Sequence, residues 1–347
     1  MTRRFLMVGG LGAAALLGGA AGLARRIGAA ATPEARFFRI GTAATSGTYF
    51  PIGGEIASAI SNPPGSRDCE RGGSCGVPGM IAVAQASQGS VDNVQAVASD
   101  RIESALCQAD IATWAYTGTG IFDKKKPLIS IRALANLFPE TIHIVVRADG
   151  PIHTLKDLKG KRISLGEPES GTLVDARLIL AAVGLSERDV KAANLKVSSA
   201  ATALQDGSLD GFFLFGGYPV PAIADLAAML PIRLVPLDAQ TLEKLQRRSP
   251  FFNREAIPGS TYAGLEDETP TLSIGALWIA STTLDNDLAY ALVKALWQDG
   301  NRRLFEGGHP IGKRITLPHA LEGISIPLHP GAARFYADVG MAVKEPG

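Results

Sequence analysis

The chain has 347 residues, 46% of them hydrophobic, and 34 basic side chains stand against 33 acidic ones for a formal net charge of +1. The first 31 residues hold Arg3, Arg4, Arg25 and Arg26 and no acid, so the remainder is four charges lower, at −3. That is no electrostatic footprint for nucleic acid, and the apolar content suffices for the cores of two lobes of ordinary size.

In chain order, Arg3-Arg4 is followed by a Gly- and Ala-rich apolar run over 8–23 and then by Ala29, Ala30 and Ala31. Residues 1–31 therefore read as a twin-arginine-type signal peptide cleaved near Ala31, with general secretory export as the open alternative. The run is short for a membrane span of about 20 residues. The expected product is a soluble periplasmic protein, away from the cytoplasmic pools of ATP and NAD.

From Phe37 onward strand and helix alternate. A strand is predicted over 37–41, then a helix over 49–60 with apolar positions at Ile52, Ile56 and Ile60 and Pro51 in its first turn. The loop over 62–79 carries Cys69 and Cys75 in a polar, Gly-rich setting. In an oxidising compartment these predict a local disulfide. A zinc site needs four ligands, and no His or second Cys pair is near in sequence. Cys107 sits among apolar residues and reads as a buried free thiol.

Further along, a helix is predicted from about Ser90 and strands over 105–108, 132–138 and 142–147. A short helix ends at Gly160, a strand follows, and a strong helix runs over 172–183 to Gly184. Elements continue over 200–205, 211–215, 219–229 and 232–237, with a long apolar strand over 272–280 and helix again over 288–306. This alternation predicts α/β lobes with largely parallel sheets.

Motifs for catalysis are weak. The stretch Gly307-Gly308-His309-Pro310-Ile311-Gly312-Lys313 has phosphate-loop spacing, but it follows a helix, Pro310 removes a backbone donor, and Arg314 stands where a magnesium-holding hydroxyl belongs. The five histidines show no metal-ligand spacing, and no G-x-S-x-G elbow occurs. No enzyme, no metal and no cofactor is expected.

Three small loops rich in hydroxyls and Gly precede helices: Thr45-Ser46-Gly47-Thr48-Tyr49, Gly89-Ser90-Val91-Asp92-Asn93 and Glu169-Ser170-Gly171-Thr172. A helix start presents free N–H groups and a partial positive charge, which favour a carboxylate. Each Ser or Thr serves equally as a helix cap, and both roles coexist because a backbone donor remains free after capping.

With Ile40-Gly41-Thr42, Gln108-Ala109-Asp110, Asp210-Gly211-Phe212-Phe213, Ile257-Pro258-Gly259-Ser260-Thr261-Tyr262 and Pro327-Leu328-His329-Pro330-Gly331-Ala332, these loops make the chain resemble the TAXI family of solute receptors. Those receptors serve tripartite ATP-independent periplasmic (TRAP) transporters. The resemblance implies a type II periplasmic-binding-protein fold. Two lobes with mainly parallel sheets would be joined by crossing strands around a ligand cleft, with 37–146 plus 269–347 as the first lobe and 147–268 as the second.

It also implies a function: capture of a small carboxylate (an amino acid such as glutamate or glutamine, or a dicarboxylate) and its delivery, by a monomer, to TRAP permease subunits. The alternative is a binding protein of the same fold serving an ATP-driven importer or a membrane sensor. The implied ligand-binding residues are Ser46, Gly47, Thr48, Tyr49, Ser90, Asn93 and Gln108 from the first lobe. From the second come Ser170, Gly171, Thr172, Phe215, Gly216 and Tyr218. No Arg or Lys lies in these loops, so a zwitterionic or neutral ligand also fits.

Overall fold

The computed structural model describes residues 34–67 and 69–343. The signal assigned to 1–31 lies outside them. The strands are β1 (Arg36–Gly41), β2 (Ser61–Asn62), β3 (Val77–Pro78), β4 (Met80–Gln85), β5 (Ser104–Gln108), β6 (Ile131–Arg147), β7 (Arg162–Ser164), β8 (Lys191–Ala193), β9 (Gly211–Gly216), β10 (Ile232–Leu234), β11 (Asn253–Ile257) and β12 (Thr269–Ser281). The helices are α1 (Tyr49–Ile60), α2 (Ser90–Ala98), α3 (Ala109–Thr117), α4 (Gly171–Ala182), α5 (Val197–Gln205), α6 (Pro221–Met229), α7 (Ala239–Arg248), α8 (Asn286–Leu296), α9 (Asp299–Gly307) and α10 (Pro330–Asp338).

All strands but the short β2–β3 pair lie in one sheet, in the order β4-β1-β5-β12-β6-β9-β7-β8, with β10 against β6 and β11 against β12. Strands that alternate with helices pair in parallel: β1 with β4 and β5, and β7 with β8 and β9. Every antiparallel pairing in this sheet involves β6 or β12. The two long strands are the reason. Each changes partner along its length: β12 pairs with β11 over its first half and with β5 over its second, and β6 leaves β12 near Thr141, where β9 begins. They join a β4-β1-β5 half to a β9-β7-β8 half, as expected of crossing strands.

Two strands expected over 132–138 and 142–147 are one strand of 17 residues. Pro139 has no N–H for a ladder. It is tolerated because it sits just before the β9 pairing starts at Thr141, where a donor is not needed on that side.

Side chains alternate between the two faces of the sheet. On one face Ile142, Ile144, Val146, Phe213, Phe215, Leu277 and Ile279 pack with α2, α3, α4 and α7 in one core. On the other, Trp278 and Phe138 pack with α1, α8 and α10, and Val145 and Phe212 with α5 and α6. Helix α4 shows the local logic: Ser170 Oγ accepts from Leu173 N–H at its start, and Gly184 at φ +78° follows its end. Cys69 and Cys75 form the expected disulfide, and Cys107 is a buried free thiol.

Candidate functional site

A pocket lies where the two halves of the sheet meet. From the first half it is lined by Ala43, Ala44, Gly47, Thr48, Tyr49, Gln88, Gly89, Ser90, Gln108 and Glu140. From the second it is lined by Gly166, Glu167, Ser170, Gly171, Thr172, Leu195, Val197, Ala200 and 213–216. Its volume is about 70 Å³, against the roughly 10–15 Å³ that one water needs on the same measure. The pocket therefore has room for a few non-hydrogen atoms.

The starts of four helices reach this wall. Thr48 and Tyr49 open α1, Ser90 opens α2, Gly171 and Thr172 open α4, and Val197 opens α5. At α4, capping uses the Leu173 N–H alone; among the described residues the N–H groups of Gly171 and Thr172 have no partner. Phe215 N–H donates to Thr172 Oγ1 at 3.1 Å, leaving that hydroxyl's own proton to give. At α2 the case differs. Val91 and Asp92 N–H groups donate across the cleft to the Glu169 carbonyl at 3.0 and 3.2 Å. Glu169 reaches them from a left-handed backbone, φ +61°, a conformation held at a cost by its surroundings. Gly89 lies at φ +112°, and a Cβ there would stand 3.3 Å from Ser170 Cα, so the close approach of the two loops depends on glycine.

A buried polar chain floors the cavity. The Tyr49 hydroxyl donates to Glu140 Oε1. Gln108 N–H donates to Ser90 Oγ at 3.2 Å, and Gln108 Nε2 donates to Asp175 Oδ2 at 2.7 Å. Asp110 and Asp175 are both wholly buried, and Asp110 Oδ2 and Asp175 Oδ1 have no hydrogen-bond partner among the described residues. Burial pushes the Glu140 carboxyl up to about 8, against the smaller opposing effect of the Tyr49 bond. Burial also raises Glu167, which Lys196 partly offsets. Among the described residues lining the cavity there is no Lys, Arg or His.

Of the residues expected at the ligand, Gly47, Thr48, Tyr49, Ser90, Gln108, Ser170, Gly171, Thr172, Phe215 and Gly216 are brought together here. Three are not. Asn93 is fully buried below the cavity, and its Nδ2 donates to the Thr42 and Leu106 carbonyls, both at 2.7 Å. Its amide is spent tying α2 to β5 and to the loop after β1, so it is not available as a ligand donor. Ser46 faces a separate shallow groove, and its carbonyl accepts from Ala222 N–H. Tyr218 turns its hydroxyl toward Arg314, 3.4 Å away. Phe212, on the opposite face from Phe213 and Phe215, is core.

Sequence reasoning missed Glu140, Glu167, Asp110 and Asp175. The available signal was an acid inside an otherwise apolar run, as in Leu137-Phe138-Pro139-Glu140-Thr141-Ile142 and Leu173-Val174-Asp175-Ala176.

Among solved structures the chain is similar to the alkanesulfonate-binding protein SsuA from Xanthomonas axonopodis pv. citri bound to MOPS, at 16% identity and TM-score 0.46, covering 89% of this chain and 81% of that one. It is similar to the periplasmic aliphatic sulphonate binding protein SsuA from Escherichia coli, at 14% identity and TM-score 0.43, covering 78% and 72%. A third is the arginine-bound form of truncated ArgBP from T. maritima, at 14% identity and TM-score 0.42, covering 75% and 94%. Likenesses of this size carry no argument about chemistry. The TAXI resemblance is not what the family comparison returns. The model matching residues 40–340 is that of the NMT1-like family, and the chain belongs to that family.

Proposed function

We propose that the protein is an extracytoplasmic solute receptor that closes its two halves around a small carboxylate or zwitterion. One observation carries this reading: helix starts and hydroxyls from both halves converge on one small cavity, and the halves bond directly across it. The ligand carboxylate accepts from the Gly171 and Thr172 N–H groups and the Thr172 hydroxyl, with Ser90 and Gln108 opposite. No basic side chain is needed, because helix starts supply the positive potential. Glu140, neutral at pH 7 in this setting, does not repel the ligand.

Closure follows if the solute binds the closed form more tightly than the open one. The receptor acts in the periplasm, exported by the signal over 1–31, and works as a monomer. For the membrane partner we take an ATP-driven importer in preference to TRAP permease subunits, because the TAXI resemblance that pointed to TRAP is not the family returned. No helix among the described residues is long and apolar enough to cross a membrane.

Thermal shifts of the purified mature protein against amino acids, dicarboxylates, 2-oxoacids and small sulfonates test the reading. A solute at about 100 times its dissociation constant adds roughly 2.7 kcal/mol of stability. Ser170→Ala with Thr172→Ala should weaken that solute in calorimetry. Silence across the panel, repeated after unfolding and refolding to strip retained cargo, would refute it.

A further inference from the structure

We infer that Glu167 is the docking point for an ammonium group, so that the solute is an amine-bearing acid with a polar tail rather than a plain carboxylate or dicarboxylate. This rests on the receptor reading and narrows the solute that the cavity takes.

Glu167 lies in the loop between β7 and α4, just before the helix start that offers the Gly171 and Thr172 N–H groups. Its backbone is pinned from both sides. The Glu167 carbonyl accepts from Ser170 N–H at 3.2 Å and from Ser170 Oγ at 2.6 Å. The Gly166 carbonyl accepts from Asn194 Nδ2 at 3.0 Å. Gly166 itself stands at φ +106°, and a Cβ there would meet Thr172 Cγ2 at 2.8 Å, so glycine lets this loop fold back against the start of α4. The Glu167 side chain is 9% exposed and lines the cavity. Its carboxyl has no hydrogen-bond or ion-pair partner among the described residues. Asp110 Oδ2 and Asp175 Oδ1 also lack partners, but they are sealed in protein, and the Glu167 oxygens are not. Buried polar groups are paired as a rule, and a carboxylate only accepts. The missing partner is therefore a donor supplied by what fills the cavity.

Charge decides which donor. Among the described residues lining the cavity there is no Lys, Arg or His. Glu140, the other acid in the wall, accepts from Tyr49, and burial pushes it up to about 8, so it is protonated at pH 7. The start of α4 attracts an anion, and Glu167 close by attracts a cation. A dicarboxylate would set its second anion against Glu167 with no cation in the wall to offset the repulsion. An ammonium does the reverse: it draws Glu167 back toward the ordinary carboxylate range against the raising effect of burial. The volume of about 70 Å³ holds an acid group, one carbon and an amine, and little more. The tail leaves through the adjoining groove of about 360 Å³, which shares Ala44 and Gln88 with the cavity and presents hydroxyls, Lys196 and Asp92. That lining suits a polar tail.

The test is thermal shift followed by calorimetry on the full mature protein with matched probes. L-glutamine, L-glutamate, L-serine and taurine are compared with analogues in which hydroxyl or hydrogen replaces the amine: 2-hydroxyglutarate, glutarate, glycerate and isethionate. At least one amine-bearing probe should bind, and its analogue should be weaker by roughly 10- to 100-fold. Glu167→Gln keeps the shape and removes the charge. It should erase that preference while leaving the analogue bound as before or more tightly. The wild-type comparison decides by itself if the variant folds poorly. An analogue that binds as tightly as its amine, or a preference that survives in Glu167→Gln, would overturn the assignment. Hits confined to amine-free acids overturn it and leave the receptor reading standing, whereas silence from every probe overturns both.

Discussion

Gly171→Ala should cripple closure while sparing the fold. A Cβ at Gly171 would stand 1.3 Å from Gln108 Oε1 and 2.5 Å from its Cδ, so the Gln108 amide must swing away. That breaks the 2.7 Å bond from Gln108 Nε2 to Asp175 and leaves the buried Asp175 Oδ2 without its donor, a loss of roughly 1–3 kcal/mol. Helix α4 itself loses nothing, since Ala favours a helix over Gly by up to about 1 kcal/mol. A closure penalty near 2 kcal/mol weakens the solute by roughly 30-fold. The assay is a calorimetric titration of wild type, Gly171→Ala, Gln108→Ala and the double variant with the solute that the panel identifies. Because the methyl acts through Gln108, the double variant should bind about as well as Gln108→Ala alone. Additive losses, or an unchanged affinity in Gly171→Ala, would refute the argument that these two residues meet only when the cleft is shut.

Other expectations follow from the same geometry. Glu140 is raised by burial from its ordinary 4.5 to about 8, so its contribution to stability is fully present below about 4.5 and is lost as pH rises through about 8. Melting temperature should decline over that upper range, and Glu140→Gln, which still accepts from Tyr49, should flatten the decline. A carboxylate ligand should also weaken above pH 8 as Glu140 ionises beside it, whereas affinity that rises there would indicate a cationic group against Glu140. Tyr262→Phe should cost roughly 1–3 kcal/mol, because the buried hydroxyl accepts from Val220 N–H at 2.9 Å and bonds His143 Nε2 at 2.8 Å; denaturant titration measures it. Reducing the Cys69–Cys75 bond should cost roughly 2 kcal/mol for so short a loop, lowering the melting temperature without changing solute affinity, since neither cysteine lines the cavity.

The helices and short strands were legible because their signals are local. The Ile52, Ile56 and Ile60 spacing marks α1 over its observed range, and Ser170 and Gly184 bracket α4 as a cap and a left-handed stop. The loops that open α1, α2 and α4 were readable as helix starts for the same reason, and ten of the thirteen residues drawn from the candidate-site motifs meet in one cavity. Where local logic misled, a partner elsewhere in the fold was responsible. The strands expected over 132–138 and 142–147 are one, because β12 and β9 share β6 around Pro139. Asn93 looked free to donate until the carbonyls of Thr42 and Leu106 were found to hold it.

Sequence alone marked helices such as α1, α2 and α4, strands such as β1, β5 and β12, and the loops that bring free N–H groups to a helix start, because capping, glycine and hydrophobic period act over a few residues; β4, α3, α7 and β11 were not among its readings. Tertiary structure alone decided that Tyr49 bonds Glu140, that Ser90, Gln108 and Asp175 bond in series, and that Asp110 is wholly buried. Those positions are far apart in the chain. They meet through the order of strands in the sheet and the point where β6 and β12 exchange partners. Only that meeting strips water from the acids and turns scattered carboxylates into groups that hold protons near neutral pH.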